Sequence, residues 1–122
     1  MTVPLKTPVL KAGAAAVEEA TRLLHVLEDR VPPEVRDQLK ICHRTEGNSI
    51  VLFGYRPRYL KPDEWIEHPY AKFTYVAKTG RWKLFWMPST MRWRTYHGLP
   101  EAATFQAAFD ELEADPLCCF FG

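Results

Sequence analysis

The sequence predicts a single α+β domain in which an N-terminal helix and a C-terminal helix cover one face of a four- to five-stranded antiparallel sheet. Apolar residues recur at helical spacing near both ends of the chain, and the middle alternates between apolar and polar residues. Glycine-containing turn signals separate the alternating segments. With 122 residues, 47% of them hydrophobic, residues 1–122 are expected to form one domain with a sizeable core.

The N-terminal helix is expected to begin at a Thr7 cap, with Pro8 in the first helical position, and to stop at Pro32-Pro33. Apolar residues follow one side of this segment: Leu10, Ala14, Val17, Leu24, Leu27 and Val31. A one-sided helix of this kind is expected to cover the sheet, and a partner-binding helix is the alternative.

Five strands are predicted in the middle of the chain, at residues 39–45, 48–56, 70–78, 81–87 and 92–97. Either Glu46-Gly47 or Gly47-Asn48 is expected to turn between the first two strands. Thr79-Gly80 is expected to turn between the third and fourth strands in the same way.

These connections predict which residues share a face of the sheet. A two-residue turn at Thr79-Gly80 pairs Val76 with Lys83, and the next connection pairs Phe85 with Arg94. The face expected to be buried beneath the helices carries Phe73, Tyr75, Trp82, Leu84, Trp86 and Trp93. The opposite face, expected to be open, carries Lys72, Lys78, Arg81, Lys83, Arg92 and Arg94 together with Phe85 and Tyr96.

The C-terminal helix is expected to begin near Pro100-Glu101 and to end near Asp115-Pro116, where proline blocks its continuation. Its apolar positions at helical spacing are Ala102, Phe105, Phe109 and Leu112. The remaining positions of this segment include acidic residues, which are expected to face solvent.

Charge is strongly segregated along a chain whose formal net charge is only +1. Residues 36–96 carry twelve cations and five anions, whereas residues 97–122 carry five anions and no lysine or arginine. Cations attract phosphates, and aromatic rings offer stacking surfaces for unpaired bases. The open face, extended by Arg56 and Arg58, therefore indicates a small non-catalytic binding module for nucleic acid or another polyanion. An ordinary solvated surface and an acidic protein partner are the alternatives.

A thirteen-residue connection from Pro57 to Pro69 is predicted between the second and third strands. Connections of this length are often functional, and four of its side chains are apolar: Tyr59, Leu60, Trp65 and Ile66. They either cap an open end of the core or anchor a protein interface. The second possibility favours an alternative function, a protein–protein interaction factor such as an inhibitor or immunity-type protein.

No pattern of catalytic, metal-binding or cofactor-binding residues is recognisable. The four histidines (His25, His43, His68 and His97) are scattered, and Cys42-His43 lacks a second ligand pair. Glycine-rich phosphate loops and nucleophile elbows are missing from the sequence. We therefore predict no catalytic residue, metal or cofactor and favour a binding protein over an enzyme, although a carboxylate pair formed in space would escape this reasoning.

Three cysteines, an odd number, favour reduced thiols and a cytoplasmic location. No apolar run approaches the length of a membrane span, so no membrane partner is expected. The sequence leaves the oligomeric state open.

Several short motifs resemble a bacterial family of small domains of unknown function. They are EGxSIxLFxxRP at residues 46–57, AKFxY at 71–75, WxLxW at 82–86, WxxY at 93–96 and DPxxxFxG at 115–122. The resemblance covers residues from about 35 to 122 and implies a compact bacterial cytoplasmic protein. It implies no activity and assigns no site residue.

Overall fold

The computed structural model describes residues 8–36 and 38–121, with side chains from residue 13 onward. Along the described chain, the α-helix α1 (Pro8–Glu28) precedes the six strands of one sheet, and the α-helix α2 (Phe105–Ala114) follows them. The strands are β1 (Lys40–Glu46), β2 (Ser49–Arg58), β3 (Lys61–Val76), β4 (Arg81–Trp86), β5 (Arg94–Thr95) and β6 (Glu101–Ala102). The predicted α+β class, with a helix at each end of an antiparallel sheet, is confirmed.

The strands follow one another across the sheet in the order β1-β2-β3-β4-β5, and β6 also pairs with β4. Every neighbouring pair is antiparallel. Each strand up to β5 therefore lies beside its predecessor in the sequence, as expected for strands joined by hairpins.

Helix α1 begins at Pro8, as predicted, while the predicted Thr7 cap lies outside the described residues. Leu24 is fully buried, and Val17 and Leu27 are almost so, because the helical repeat brings all three to the side that faces the sheet. The helix ends at Glu28, four residues before Pro32. None of the helices in the described part of the chain is long and apolar enough to cross a membrane.

The core lies between the two helices and one face of the sheet, called here the inner face. Phe73, Trp82 and Leu84 are buried there as predicted, and Trp82 packs edge-on against Phe105 of α2 with ring centroids 5.0 Å apart. The other predicted inner-face aromatics are less buried: Tyr75, Trp86 and Trp93 are half-buried, and Trp93 lies outside the strands.

The hairpin between β1 and β2 turns at Gly47-Asn48, since Glu46 pairs with Ser49. Gly47 has φ +61°, a left-handed conformation that glycine adopts without steric cost. The second of the two predicted turn positions is therefore correct.

The hairpin between β3 and β4 has a four-residue connection, Ala77–Gly80, instead of the predicted two-residue turn. The amides of Thr79 and Gly80 both donate to the carbonyl of Val76, which closes the connection at that residue. Val76 consequently pairs with Arg81, two positions away from the predicted register. Because side chains alternate with a period of two, this shift leaves the predicted faces of β3 and β4 unchanged.

The predicted register between β4 and β5 is wrong by one residue. Thr95 pairs with Phe85 and Arg94 pairs with Trp86, and the Tyr96 amide donates to the Leu84 carbonyl. A shift of one residue exchanges the faces of this strand. Tyr96 therefore lies in the core, where it is fully buried, and Arg94 shares the side of Trp86.

The predicted loop from Pro57 to Pro69 is a second error, because most of this segment belongs to strands. β2 and β3 continue as a two-stranded ribbon that pairs Pro57 with Trp65 and turns at Tyr59-Leu60. We call residues 55–69 the arm. Proline is tolerated in β3 because β4 pairs with it only from Ala71 onward, which leaves the other edge of this stretch without a described strand.

Helix α2 begins later than predicted, at Phe105, because residues 101–102 pair with β4. The Thr104 hydroxyl accepts a hydrogen bond from the Ala107 amide and caps the helix. At the other end Asp115 adopts a left-handed conformation with φ 42°, and its carboxylate accepts hydrogen bonds from the amides of Phe120 and Phe121. The final segment is thereby held against the domain.

Candidate binding surface

The face of the sheet opposite the helices, called here the outer face, carries both charged and aromatic side chains. Its members follow from the strand pairing, since paired residues of antiparallel strands project to the same side. They include Lys40, Cys42, Arg44, Glu46, Val51, Phe53, Tyr55, Trp65, Glu67, Lys72, Thr74, Arg81, Lys83, Phe85 and Glu101. Although both helices pack on the inner face, Val51 is only 3% exposed. The neighbouring side chains of the outer face must therefore cover it.

Aromatic rings run across the outer face with cations stacked on them. Tyr55 and Trp65 have ring centroids 5.2 Å apart, and the Lys40 ammonium lies 5.2 Å from the centre of the Trp65 ring. The Arg44 guanidinium lies 5.2 Å from the centre of the Phe53 ring. All three rings are half-buried, although α1 and α2 pack on the opposite face. Partly buried aromatic rings of this kind are enriched at protein interfaces.

The arginines of the outer face are paired with carboxylates of the same face. Arg44 Nη1 donates to both oxygens of Glu67 at 3.0 and 2.9 Å, and Arg44 Nε donates to Glu46 at 3.0 Å. These hydrogen bonds, the one with Glu67 first, raise the pKa of the Arg44 guanidinium. Arg81 Nε donates to Glu101 at 3.1 Å. Five cations of the outer face thus share it with three carboxylates, whereas only cations and aromatic residues were predicted as its site residues.

A family model matches residues 14–122. The chain belongs to the DUF3024 family, a family of domains of unknown function. The expected membership of a family of domains of unknown function is thereby confirmed. The match also includes most of α1, which the sequence motifs did not reach. No curated protein and no solved structure matches the chain.

Four residues of the predicted basic face of this DUF3024 domain do lie together on the outer face. Lys72 pairs directly with Phe85 across the β3–β4 hairpin, and its ammonium lies 5.9 Å from the centre of that ring. Arg81 and Lys83 lie on the same face of β4, since they alternate with the buried Trp82.

Four other predicted residues lie elsewhere. Lys78 is exposed in the β3–β4 connection, Arg92 is exposed outside the strands, and Arg94 lies on the side of Trp86. Tyr96 is buried, and its hydroxyl donates to Glu111 Oε2 of α2 at 2.7 Å. Burial, reinforced by this hydrogen bond, raises the pKa of the Tyr96 hydroxyl well above its ordinary value. Tyr96 is therefore part of the core and is not available to stack on a base.

The remaining predicted residues belong to the arm. Arg56 pairs with Ile66, and by alternation both lie on the inner side, opposite Trp65. Arg58 pairs with Lys61 at the tip, between which Tyr59 and Leu60 are 94% and 82% exposed. Of the four apolar residues predicted for an interface, Trp65 joins the outer face, Ile66 is half-buried, and the other two form the tip.

Several residues of the outer face were not predicted from the sequence, among them Lys40, Arg44, Phe53, Tyr55 and Glu67. The predicted register covers only the third to fifth predicted strands. Carrying the same alternation through the turn at Gly47-Asn48 would have placed Arg44 and Phe53 on the outer face. The Glu67 carboxylate could not have been placed, because residue 67 was assigned to a loop.

Proposed function

We propose that this DUF3024 domain is a protein-binding module whose outer face and arm dock on a partner protein. The observation that carries this proposal is the aromatic row of the outer face, in which Phe53, Tyr55 and Trp65 are half-buried although α1 and α2 pack on the inner face. Tryptophan, tyrosine and arginine are the side chains that most often dominate the binding energy of protein interfaces.

The charges of the outer face also favour a protein partner. Interfaces between proteins have an apolar and aromatic centre with charges of both signs at the rim. Here Arg44 is held by two carboxylates, and Arg81 is held by Glu101 at the opposite edge of the face. A partner with complementary charges of both signs fits such a surface better than a polyanion does.

The expected dependence of nucleic-acid binding on salt also favours a protein partner. A face on which six cations contact phosphates would give a salt slope of log K of about −5 on duplex DNA. With Arg44 and Arg81 held by carboxylates, the three lysines of the outer face (Lys40, Lys72 and Lys83) would give about −3. The weaker dependence corresponds to weak nonspecific binding at physiological salt. Nucleic acid remains the second candidate because Lys72, Lys83 and Phe85 lie side by side on the outer face.

The test compares purified variants as bait in a nuclease-treated extract of the native host. Trp65→Ala removes the ring that contacts both Tyr55 and Lys40, and Arg92→Ala, which alters an exposed residue outside the strands, is the control. We expect a stoichiometric partner to bind the wild type and R92A alike. Once that partner is purified, W65A is expected to weaken its binding by roughly thirtyfold, as for an interface hot spot of about 2 kcal/mol.

The same experiment can reject the proposal. Anisotropy titrations with single- and double-stranded DNA and RNA at low salt would be run beside it, using Glu67→Gln, Glu101→Gln and Lys72→Ala. Nucleic-acid binding that E67Q and E101Q strengthen and K72A weakens, without a protein partner sensitive to W65A, would establish the second candidate instead. Thermal unfolding of each variant separates lost binding from lost folding.

A further inference from the structure

The end of α1 and the edge strand β1 bring two imidazoles to one carboxylate. His25 and Glu28 lie three residues apart on α1 and so project to the same side of the helix. His43 lies on the inner face of β1, where it pairs with the buried Leu52. His25 Nδ1 is 3.0 Å from Glu28 Oε1, and His43 Nδ1 is 2.6 Å from Glu28 Oε2. The two imidazole rings stand edge to face with centroids 5.1 Å apart.

Glu28 is unusual among the described carboxylates of this domain because it contacts two imidazoles. Its side chain is 15% exposed, and His43 is 14% exposed. Among the described side chains, no lysine or arginine nitrogen lies within 4.0 Å of its carboxylate. When both imidazoles are neutral, the cluster carries one negative charge that is largely withdrawn from water. A bound cation would offset the cost of that desolvation.

The three ligand atoms are close to the arrangement that a tetrahedral metal ion requires. One ligand atom from each side chain lies within 4.8 Å of the other two. Bonds of about 2.0–2.1 Å in tetrahedral geometry separate ligand atoms by about 3.4 Å. The two nitrogen–oxygen distances, 3.0 and 2.6 Å, are shorter, as expected for hydrogen bonds. A metal ion would replace the protons in these two hydrogen bonds, with each nitrogen–oxygen distance lengthening by less than about 1 Å.

The site is also open to solvent on one side. The His25 side chain is 64% exposed, so solvent reaches the cluster from the side of this imidazole. An ion can therefore enter without unfolding of the domain, and water can occupy a fourth coordination position.

We propose that His25, Glu28 and His43 form a binding site for a divalent transition-metal ion, and that this ion is Zn²⁺. Two imidazoles, one carboxylate and an open position constitute a donor set that Zn²⁺ accepts readily. The bound ion joins the last turn of α1 to β1, the outermost strand of the sheet on that side. Zinc thereby fixes the helix against the sheet edge, independently of what binds the outer face.

The test is isothermal titration of the untagged full chain with ZnCl₂ near neutral pH, together with thermal unfolding. We expect one equivalent of Zn²⁺ to bind, and Tm to rise by about 10 °C when free Zn²⁺ is about 100 times Kd. His25→Gln, His43→Gln and Glu28→Gln are each expected to weaken binding at least about tenfold, as the loss of a ligand requires. His97→Gln, which alters an exposed histidine outside the cluster, is the matched control and is expected to bind normally.

Two results would overturn the proposal. One is the absence of Zn²⁺ binding by the wild type at about 0.1 mM free ion, and the other is binding that H25Q leaves unchanged or that H97Q weakens equally. H25Q keeps the test decisive if H43Q or E28Q fails to fold, because His25 is mostly exposed. Co²⁺ provides an independent readout: a visible spectrum typical of tetrahedral nitrogen and oxygen ligands is expected for the wild type and is expected to be lost in H25Q.

Discussion

Replacing Tyr96 with phenylalanine tests the register between β4 and β5, which places this residue in the core and not on the outer face. The variant Y96F keeps the ring, which is fully buried and packs on Phe120 with centroids 4.7 Å apart. It removes the hydroxyl that donates to Glu111 Oε2 at 2.7 Å. A hydrogen bond to a charged group contributes about 1.5–3 kcal/mol. We therefore expect the free energy of unfolding to fall by about 2 kcal/mol and Tm to fall by roughly 8 °C.

Urea unfolding of a double-mutant cycle assigns this loss to the hydrogen bond. Y96F leaves the Glu111 carboxylate without the Tyr96 donor, and this loss is costly because Glu111 is half-buried. Glu111→Gln removes the charge and so reduces the cost of the missing hydrogen bond. The coupling between Y96F and E111Q is expected to be about 1.5 kcal/mol. Tyr59→Phe provides the matched control, because it makes the same chemical change on a side chain that is 94% exposed. Its effect is expected to stay within about 0.5 kcal/mol.

The core position of Tyr96 is refuted if Y96F destabilises the domain no more than Y59F does, or if the coupling with E111Q is zero. Either result would mean that the Tyr96 hydroxyl faces solvent in the folded protein. The originally predicted register, with Tyr96 on the outer face, would then become the better description of β5.

Three further predictions concern pH, packing and surface charge. Burial raises the pKa of the Tyr96 hydroxyl in the folded state above its ordinary value of about 10, so the fold favours the neutral form. The stability that results is present below about pH 10 and is lost as the pH rises above that value. Urea unfolding between about pH 8 and 11 should therefore show that the free energy of unfolding falls more steeply for the wild type than for Y96F. Gly54→Ala is expected to cost about 1–3 kcal/mol, because the added methyl group would lie 2.8 Å from Tyr70 Cζ. Calorimetry should show this loss, and Tyr70→Phe in the same chain should recover part of it by removing the hydroxyl that also approaches Gly54. Glu101→Gln breaks the ion pair with Arg81, but since both side chains are nearly half-exposed, Tm is expected to fall by no more than about 4 °C; a larger drop would show that the pair is structurally important.

The sequence predicted the helices and the inner face of β3 and β4 because their signals are local and repeat. Alternation in the WxLxW motif identifies Trp82 and Leu84 as buried whichever even shift the hairpin adopts. The shift of β5 by one residue was not predictable in this way. It depends on Tyr96 reaching Glu111 of α2, which is fifteen residues away in the sequence.

The candidate sites were less predictable than the fold. A count of cations in residues 36–96 could not reveal that Arg44 is held by Glu67 or Arg81 by Glu101, since both carboxylates come from segments assigned to a loop or a helix. The same limit applies to the proposed metal site. Helical spacing brings His25 beside Glu28, but nothing in that spacing indicates which strand residue completes the set.

What the sequence by itself determined is the α+β class, the Gly47 turn and the assignment of buried and exposed sides within the β3–β4 hairpin. These features follow from contacts between near neighbours, which leave a period of two or of 3.6 in the chain. Tertiary structure alone decided that the Pro57–Pro69 segment extends as an arm, that Tyr96 is buried, and that His43 meets Glu28. Each of these depends on residues that packing brings together from separate elements, and such contacts leave no periodic pattern in the sequence.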